Sequence, residues 1–224
     1  MSVAKVKEKL LKVLYGGIMN NELKVTVEKF DVDWKEIKNM CRGTVGIEDS
    51  QKEPTNEWKR KLLLAEHSPL RHSLITIKIE NIPYAMMGHL VRHSVGVTPY
   101  VKTSRSDRTG VDRNTRSQMD LVNMRLDLNI QSLINISRKR LCNQADITTR
   151  KIWWEVIKEI AKYDKNIAWA CVKEGIYKGG CSESFGCCNS CNDFLNTLTK
   201  EQLIDLKQRY DAYNEFREGK VLKK

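Results

Sequence analysis

The stretch HSLITIKIENIPYAMMGHLVRHS, residues 72–94, decides the architecture. Ile75, Ile77 and Ile79 alternate with Thr76, Lys78 and Glu80. That period of two gives a strand one apolar and one polar face, and it predicts a strand over 72–80. Pro83 suits the first turn of a helix, where its missing N–H leaves no bond unmade. The helix is expected to run to about Ser94.

Outward from this unit the pattern stays mixed. ELKVTVEKF (22–30) alternates and predicts a second strand, and residues 34–43 and 56–66 predict helices. Residues 3–14 predict a short amphipathic helix ended by Gly16 and Gly17. Downstream, residues 95–118 carry no helical periodicity and are expected to form a loop. It exceeds the roughly 12–15 residues that compact domains usually allow without a functional reason. Residues 119–128 alternate through Val122, Met124, Leu126 and Leu128 and predict another strand. Helices are expected at about 129–142, 148–162 and 164–174. A cysteine-rich stretch (178–193) then leads to a last helix near 199–217, where Thr199 and Gln202 have capping-box spacing. Strands this few and dispersed exclude a doubly wound sheet. The fold class is α/β (α+β), a mixed sheet flanked by helices.

The counts narrow the function. The chain has 224 residues, with 39 Lys and Arg against 28 Asp and Glu, a formal charge of +11. That favours anionic partners: nucleotides, nucleic acid or a membrane surface. No apolar run nears the roughly 18–20 residues of a membrane helix. The lysine-studded N-terminus is not a secretory signal, so a cytoplasmic protein is expected and the seven cysteines read as thiols or metal ligands.

Three clusters carry candidate chemistry. Arg92, Lys102, Arg105, Arg108, Arg113 and Arg116 face only Asp107 and Asp112 in the long loop. Arginine's planar fork suits phosphate, although a solvated charged loop explains the same composition. His89 and His93 are four apart and expected on one helical face, a spacing open to zinc but with no third ligand evident. Cys181, Cys187, Cys188 and Cys191 include one C-x-x-C, and with Cys142 or Cys171 they would make a zinc or iron–sulfur site. Unligated thiols are the plainer reading. Arg138 and Arg140 point about 200° apart on their helix, so they cannot share a role.

HSPLRHSLITIKIENIPYAMMGHLVRHS (67–94) resembles the flavin-dependent thymidylate synthases. That family has a histidine opening a strand, a following helix, and an R-H-R motif with a serine after seven more residues. Arg92 and His93 match its first two positions, Ser94 replaces the third, and the seven-residue count ends on Lys102, just before Thr103, Ser104 and Arg105. A second block, LNIQSLINISRKRLC (128–142), resembles the family helix, with Asn129 and Arg140 eleven residues apart and Asn135 at a third matching position. The likeness covers roughly residues 20–165. It implies one domain over 1–176, with 177–224 a cysteine-rich appendage.

The resemblance implies a homotetramer with flavin sites between subunits and no Rossmann fingerprint. It implies FAD as cofactor, with methylenetetrahydrofolate and NADPH as co-substrates, and conversion of dUMP to dTMP. Arg140 would be the catalytic residue. His72, Arg92, His93, Ser94, Asn129, Gln131 and Asn135 would contact cofactor. His89, Ser104, Arg105 and Arg113 would contact the pyrimidine nucleotide. Ser94 and Gln131 stand where the family commonly has arginine, which removes two cations from the flavin side. These departures leave open a different pyrimidine nucleotide, hydroxymethylation in place of methylation, or a non-catalytic basic paralogue that binds nucleic acid.

Overall fold

The computed structural model describes residues 23–142 and 144–171. The expected helices over 3–14 and 199–217 and the cysteine-rich stretch with Cys181, Cys187, Cys188 and Cys191 lie outside those residues. The described chain runs β1 (Lys24–Asp31), α1 (Trp34–Gly43), α2 (Asn56–Ala65), a 3₁₀ turn (Ser68–Arg71), β2 (Leu74–Pro83) and α3 (Tyr84–Val91). It continues through β3 (Val97–Val101), the single turn α4 (Ser106–Thr109), a 3₁₀ turn (Arg113–Thr115), β4 (Leu121–Leu128), α5 (Ile130–Arg140), α6 (Ile147–Tyr163) and α7 (Lys165–Cys171).

The sheet order is β1-β2-β4-β3, and every pairing is antiparallel, so the helix-flanked sheet is not mixed in direction. On the central pair, Ile75 faces Leu128, Ile77 faces Leu126 and Ile79 faces Met124, all buried. Such cross-strand apolar pairs stabilise a sheet and fix its register. The opposite face is polar. Thr76 donates to Asp127 at 2.7 Å, and Arg125 makes a forked contact with Glu28 at 2.7 and 3.2 Å. One covered and one solvated face is the usual state of an antiparallel sheet.

Three local expectations change. β2 does not stop at residue 80. A bulge between Ile79 and Ile82 places Asn81 at φ +62, with its N–H on Asn123 Oδ1 at 3.0 Å. The extra residue returns Ile82 to the buried face and carries the strand to Pro83. Pro83 therefore caps α3 rather than opening it, and the helix ends at Val91, not Ser94. The long loop also contains a strand, β3. Its Pro99 concealed it, yet an edge strand tolerates proline because one side of the backbone needs no N–H.

The helices cover the apolar face. α5 buries Ile130, Leu133, Ile134 and Ile136, and α6 buries Ile152, Trp153, Val156, Ile157 and Ile160. Trp153 donates to Ser137 Oγ at 2.9 Å, and that hydroxyl donates to Leu133 O at 2.7 Å, so the buried polar atoms are satisfied. Side-chain caps start α1 (Asp33), α2 (Thr55), α5 (Asn129) and α6 (Asp146). Each such cap contributes about 1 kcal/mol. No helix among the described residues is long and apolar enough to cross a membrane.

Candidate active site

The two sequence blocks meet along α5. After α3 ends, residues 92–96 turn and lie against that helix. Ser132 Oγ donates to Val95 O at 3.0 Å, and Gly96 sits at φ +68. A Cβ at Gly96 would come within 2.4 Å of Ser132 Oγ and 3.1 Å of Asn129 Nδ2. Only glycine satisfies both the backbone angle and that close approach. At the far end of α5, Arg140 Nε donates to His93 Nε2 at 2.8 Å. Asn129 occupies the N-cap, its Oδ1 accepting from Ser132 N at 2.9 Å.

The Arg140 contact fixes the protonation of His93. Nε2 accepts, so the ring is neutral with its proton on Nδ1. Burial, then the positive charges of Arg140 and Lys139, push the imidazole down to about 4 from an ordinary 6.5. The unfolded chain therefore takes up a proton between pH 6.5 and about 4 that the folded chain refuses. Stability from this group is full above 6.5 and falls as the pH drops through that window. In urea titrations the native chain should lose more stability from pH 7 to pH 5 than His93→Gln. Parallel losses in the two proteins would contradict the assignment.

His89 and His93 do not form a pair. Because α3 ends at Val91, His93 leaves the helical face. His89 Nδ1 lies 2.9 Å from Thr149 Oγ1 on α6. His72 is exposed at the head of β2, with Nε2 3.2 Å from Glu36 Oε1. Arg92 and Ser94 are both exposed on the turn.

Gln131 and Asn135 belong to a network that the sequence did not reveal. Gln131 Nε2 donates to Glu66 Oε2 at 2.9 Å and to Asn135 Oδ1 at 3.2 Å. Arg138 donates Nη1 to the same Asn135 oxygen at 3.2 Å and Nη2 to Glu66 Oε1. Glu66 follows α2 in the left-handed region, φ +50. The Arg138 and Glu66 side chains are only 22% and 18% exposed.

The loop residues divide. Ser104 and Arg113 line one cavity of about 190 Å³, with Tyr84, Arg116, Gln118 and Asp120 in the same wall. Arg105 does not: its Nε and Nη2 grip Asp107 at 3.0 and 2.7 Å on the exposed loop. His89 is also absent from that wall. The sequence placed Arg116 only within the basic loop cluster, with no individual role, and it singled out neither Tyr84 nor Gly96. The lone Gly96 between two valines is the only one that left a local signal.

The fit to a flavin dinucleotide can be judged from these donors. The exposed Arg92 and Ser94 offer a cation and a hydroxyl beside the His93–Arg140 pair, which suits an anionic, hydrogen-bonding ligand. The amides of Gln131 and Asn135 are already engaged with Glu66 and Arg138. The donor set therefore fits through residues 92–94 and Arg140, with the amides in reserve behind Glu66.

No protein-family model and no curated protein matches the chain by sequence. Solved structures do match in fold. Thymidylate synthase X (ThyX) from Helicobacter pylori, crystallised with FAD and dUMP, superposes with a TM-score of 0.57 at 11% identity, over 67% of this chain and 99% of that one. The UMP/dUMP methylase PolB from Streptomyces cacaoi, bound with 5-Br dUMP, gives 0.55 at 12% identity, over 66% of this chain and 94% of that one. The four-stranded antiparallel sheet flanked by helices therefore has the fold of the flavin-dependent thymidylate synthases.

Proposed function

We propose that this chain is a flavin-dependent pyrimidine nucleotide methyltransferase. It would convert dUMP to dTMP, with FAD as cofactor, methylenetetrahydrofolate as one-carbon donor and NADPH as reductant. The observation that supports this most is the meeting of the two resembling blocks, residues 67–94 and 128–142, through the His93–Arg140 bond of 2.8 Å. Neighbours of the same fold hold FAD and dUMP, or act on UMP and dUMP.

Each residue has a physical task. C5 of a uracil ring is a poor nucleophile until electron density is pushed toward it by polarising N3 and the flanking carbonyls. A fixed guanidinium stabilises the charge that develops there, and the Nε bond of Arg140 to His93 holds that planar group in one orientation. Arg92 and Ser94 hold the cofactor's anionic part. Ser104 and Arg113 receive the nucleotide phosphate in their cavity. The flavin, when bound and reduced, supplies the hydride that completes the methyl group. A homotetramer is part of the proposal.

The test is product formation. Purified chain with FAD, methylenetetrahydrofolate, NADPH and dUMP tritiated at C5 should release tritium and yield dTMP, identified by mass. UMP and a search for the hydroxymethyl product belong in the same assay, because one fold neighbour acts on both UMP and dUMP. Flavin-bound protein that releases no tritium from either nucleotide would overturn the reaction.

A further inference from the structure

We propose that Arg116 is a phosphate-recognition residue that makes the chain discriminate a nucleotide from its nucleoside. This rests on the nucleotide reading above and sharpens it at a residue that neither motif nor spacing had assigned. Arg116 Nε is buried and has no hydrogen-bond partner. A buried charged donor left unmade costs free energy, and native chains seldom keep one without a use. Arg116 lines the cavity that Arg113 and Ser104 also line.

The surrounding backbone explains the placement. Asp112 caps the 3₁₀ turn by accepting from Asn114 N at 2.9 Å, and Arg116 N donates to Arg113 O at 3.2 Å. Residues three apart in such a turn eclipse one another, so Arg113 and Arg116 project to the same side. Beyond the turn, Gln118 O and Asp120 O accept from Ala85 N and Tyr84 N at 3.0 and 2.9 Å. The start of α3 thus anchors the loop and holds the arginines in the cavity wall. Asp120 is the one acid among the lining residues, against two arginines. The balance is positive, and a phosphomonoester dianion compensates it and supplies the acceptor that Nε lacks.

The experiment is calorimetric titration of the full chain with dUMP, deoxyuridine and inorganic phosphate. It compares the native chain, Arg116→Gln, Arg116→Lys and Arg125→Gln. Arg125 lies on the polar sheet face and controls for loss of one charge. Arg116→Gln should weaken dUMP about 10- to 100-fold and leave deoxyuridine unchanged, collapsing the preference between them. Arg116→Lys should fall between, since a point charge lacks the fork. Without ligand, Arg116→Gln should melt no lower than the native chain, because it removes an unsatisfied donor, but it should lose the stabilisation by phosphate. Binding of phosphate that needs Arg116, with no binding of dUMP, would uphold this site while overturning the nucleotide reading. Equal dUMP affinity in the native chain and Arg116→Gln, equal weakening of dUMP and deoxyuridine, or no phosphate or dUMP binding by the native chain would overturn the proposal.

Discussion

Arg140→Ala should lower turnover in the dUMP assay by at least about 100-fold, the usual effect of removing one preorganised donor from developing negative charge. The loss should fall on kcat more than on KM, because the charge to be stabilised exists mainly in the transition state. The fold should survive. Arg140 is the last residue of α5, partly exposed, where a cation also suits the helix dipole. Its loss strands His93 Nε2 without its donor, a cost of about 1 kcal/mol. Arg140→Lys separates charge from geometry: the ammonium keeps the charge but not the fork or the Nε–H that binds His93. Lysine should recover only a small part of the rate. Full activity in Arg140→Ala would refute the catalytic role.

Among the polar side chains of the site, Glu66→Ala should be the most damaging to stability, at about 2 kcal/mol. Glu66 accepts from both Gln131 and Arg138, and its removal leaves the Arg138 charge in a site where that side chain is 22% exposed. The cost comes from the abandoned partner more than from the value of the pair. Arg138→Met alone should therefore hurt as well, and the double variant should hurt less than the two single losses added together. Glu66→Gln keeps the shape and one acceptor and should fall between. Urea denaturation reads all four. A loss below about 0.5 kcal/mol for Glu66→Ala would show that the network is too hydrated to matter.

Much of the architecture was legible because burial imposes simple periods. The Ile75, Ile77, Ile79 face and the Val122, Met124, Leu126, Leu128 face identified the two strands that became central neighbours. Asn129 ahead of an apolar run marked the start of α5. What stayed hidden depends on partners far along the chain. Pro99 disguised β3, which exists because β4 offers it an edge. Asn81 looked like the end of a strand, but Asn123 holds its N–H and turns it into a bulge. The end of α3 at Val91 separated His89 from His93, and no local signal marked it.

The site followed the same rule. Arg140 and His93 were each singled out by their place in a motif, but their bond joins residues 47 apart. Gln131 stood out as a missing cation. Its actual partner, Glu66, lies 65 residues away and leaves no trace in the spacing. Ser104 and Arg113 were read as phosphate ligands and share a cavity, whereas Arg105 turned to Asp107 two residues on. That choice between neighbouring arginines depends on loop conformation.

The central claim is that this surface holds a flavin, and equilibrium titration with FAD tests it before any turnover is sought. Purified chain should bind FAD saturably at micromolar or lower concentration, with a shift in the visible absorption and quenching of flavin fluorescence. Unchanged spectra at micromolar FAD, in protein confirmed to be folded, would contradict it.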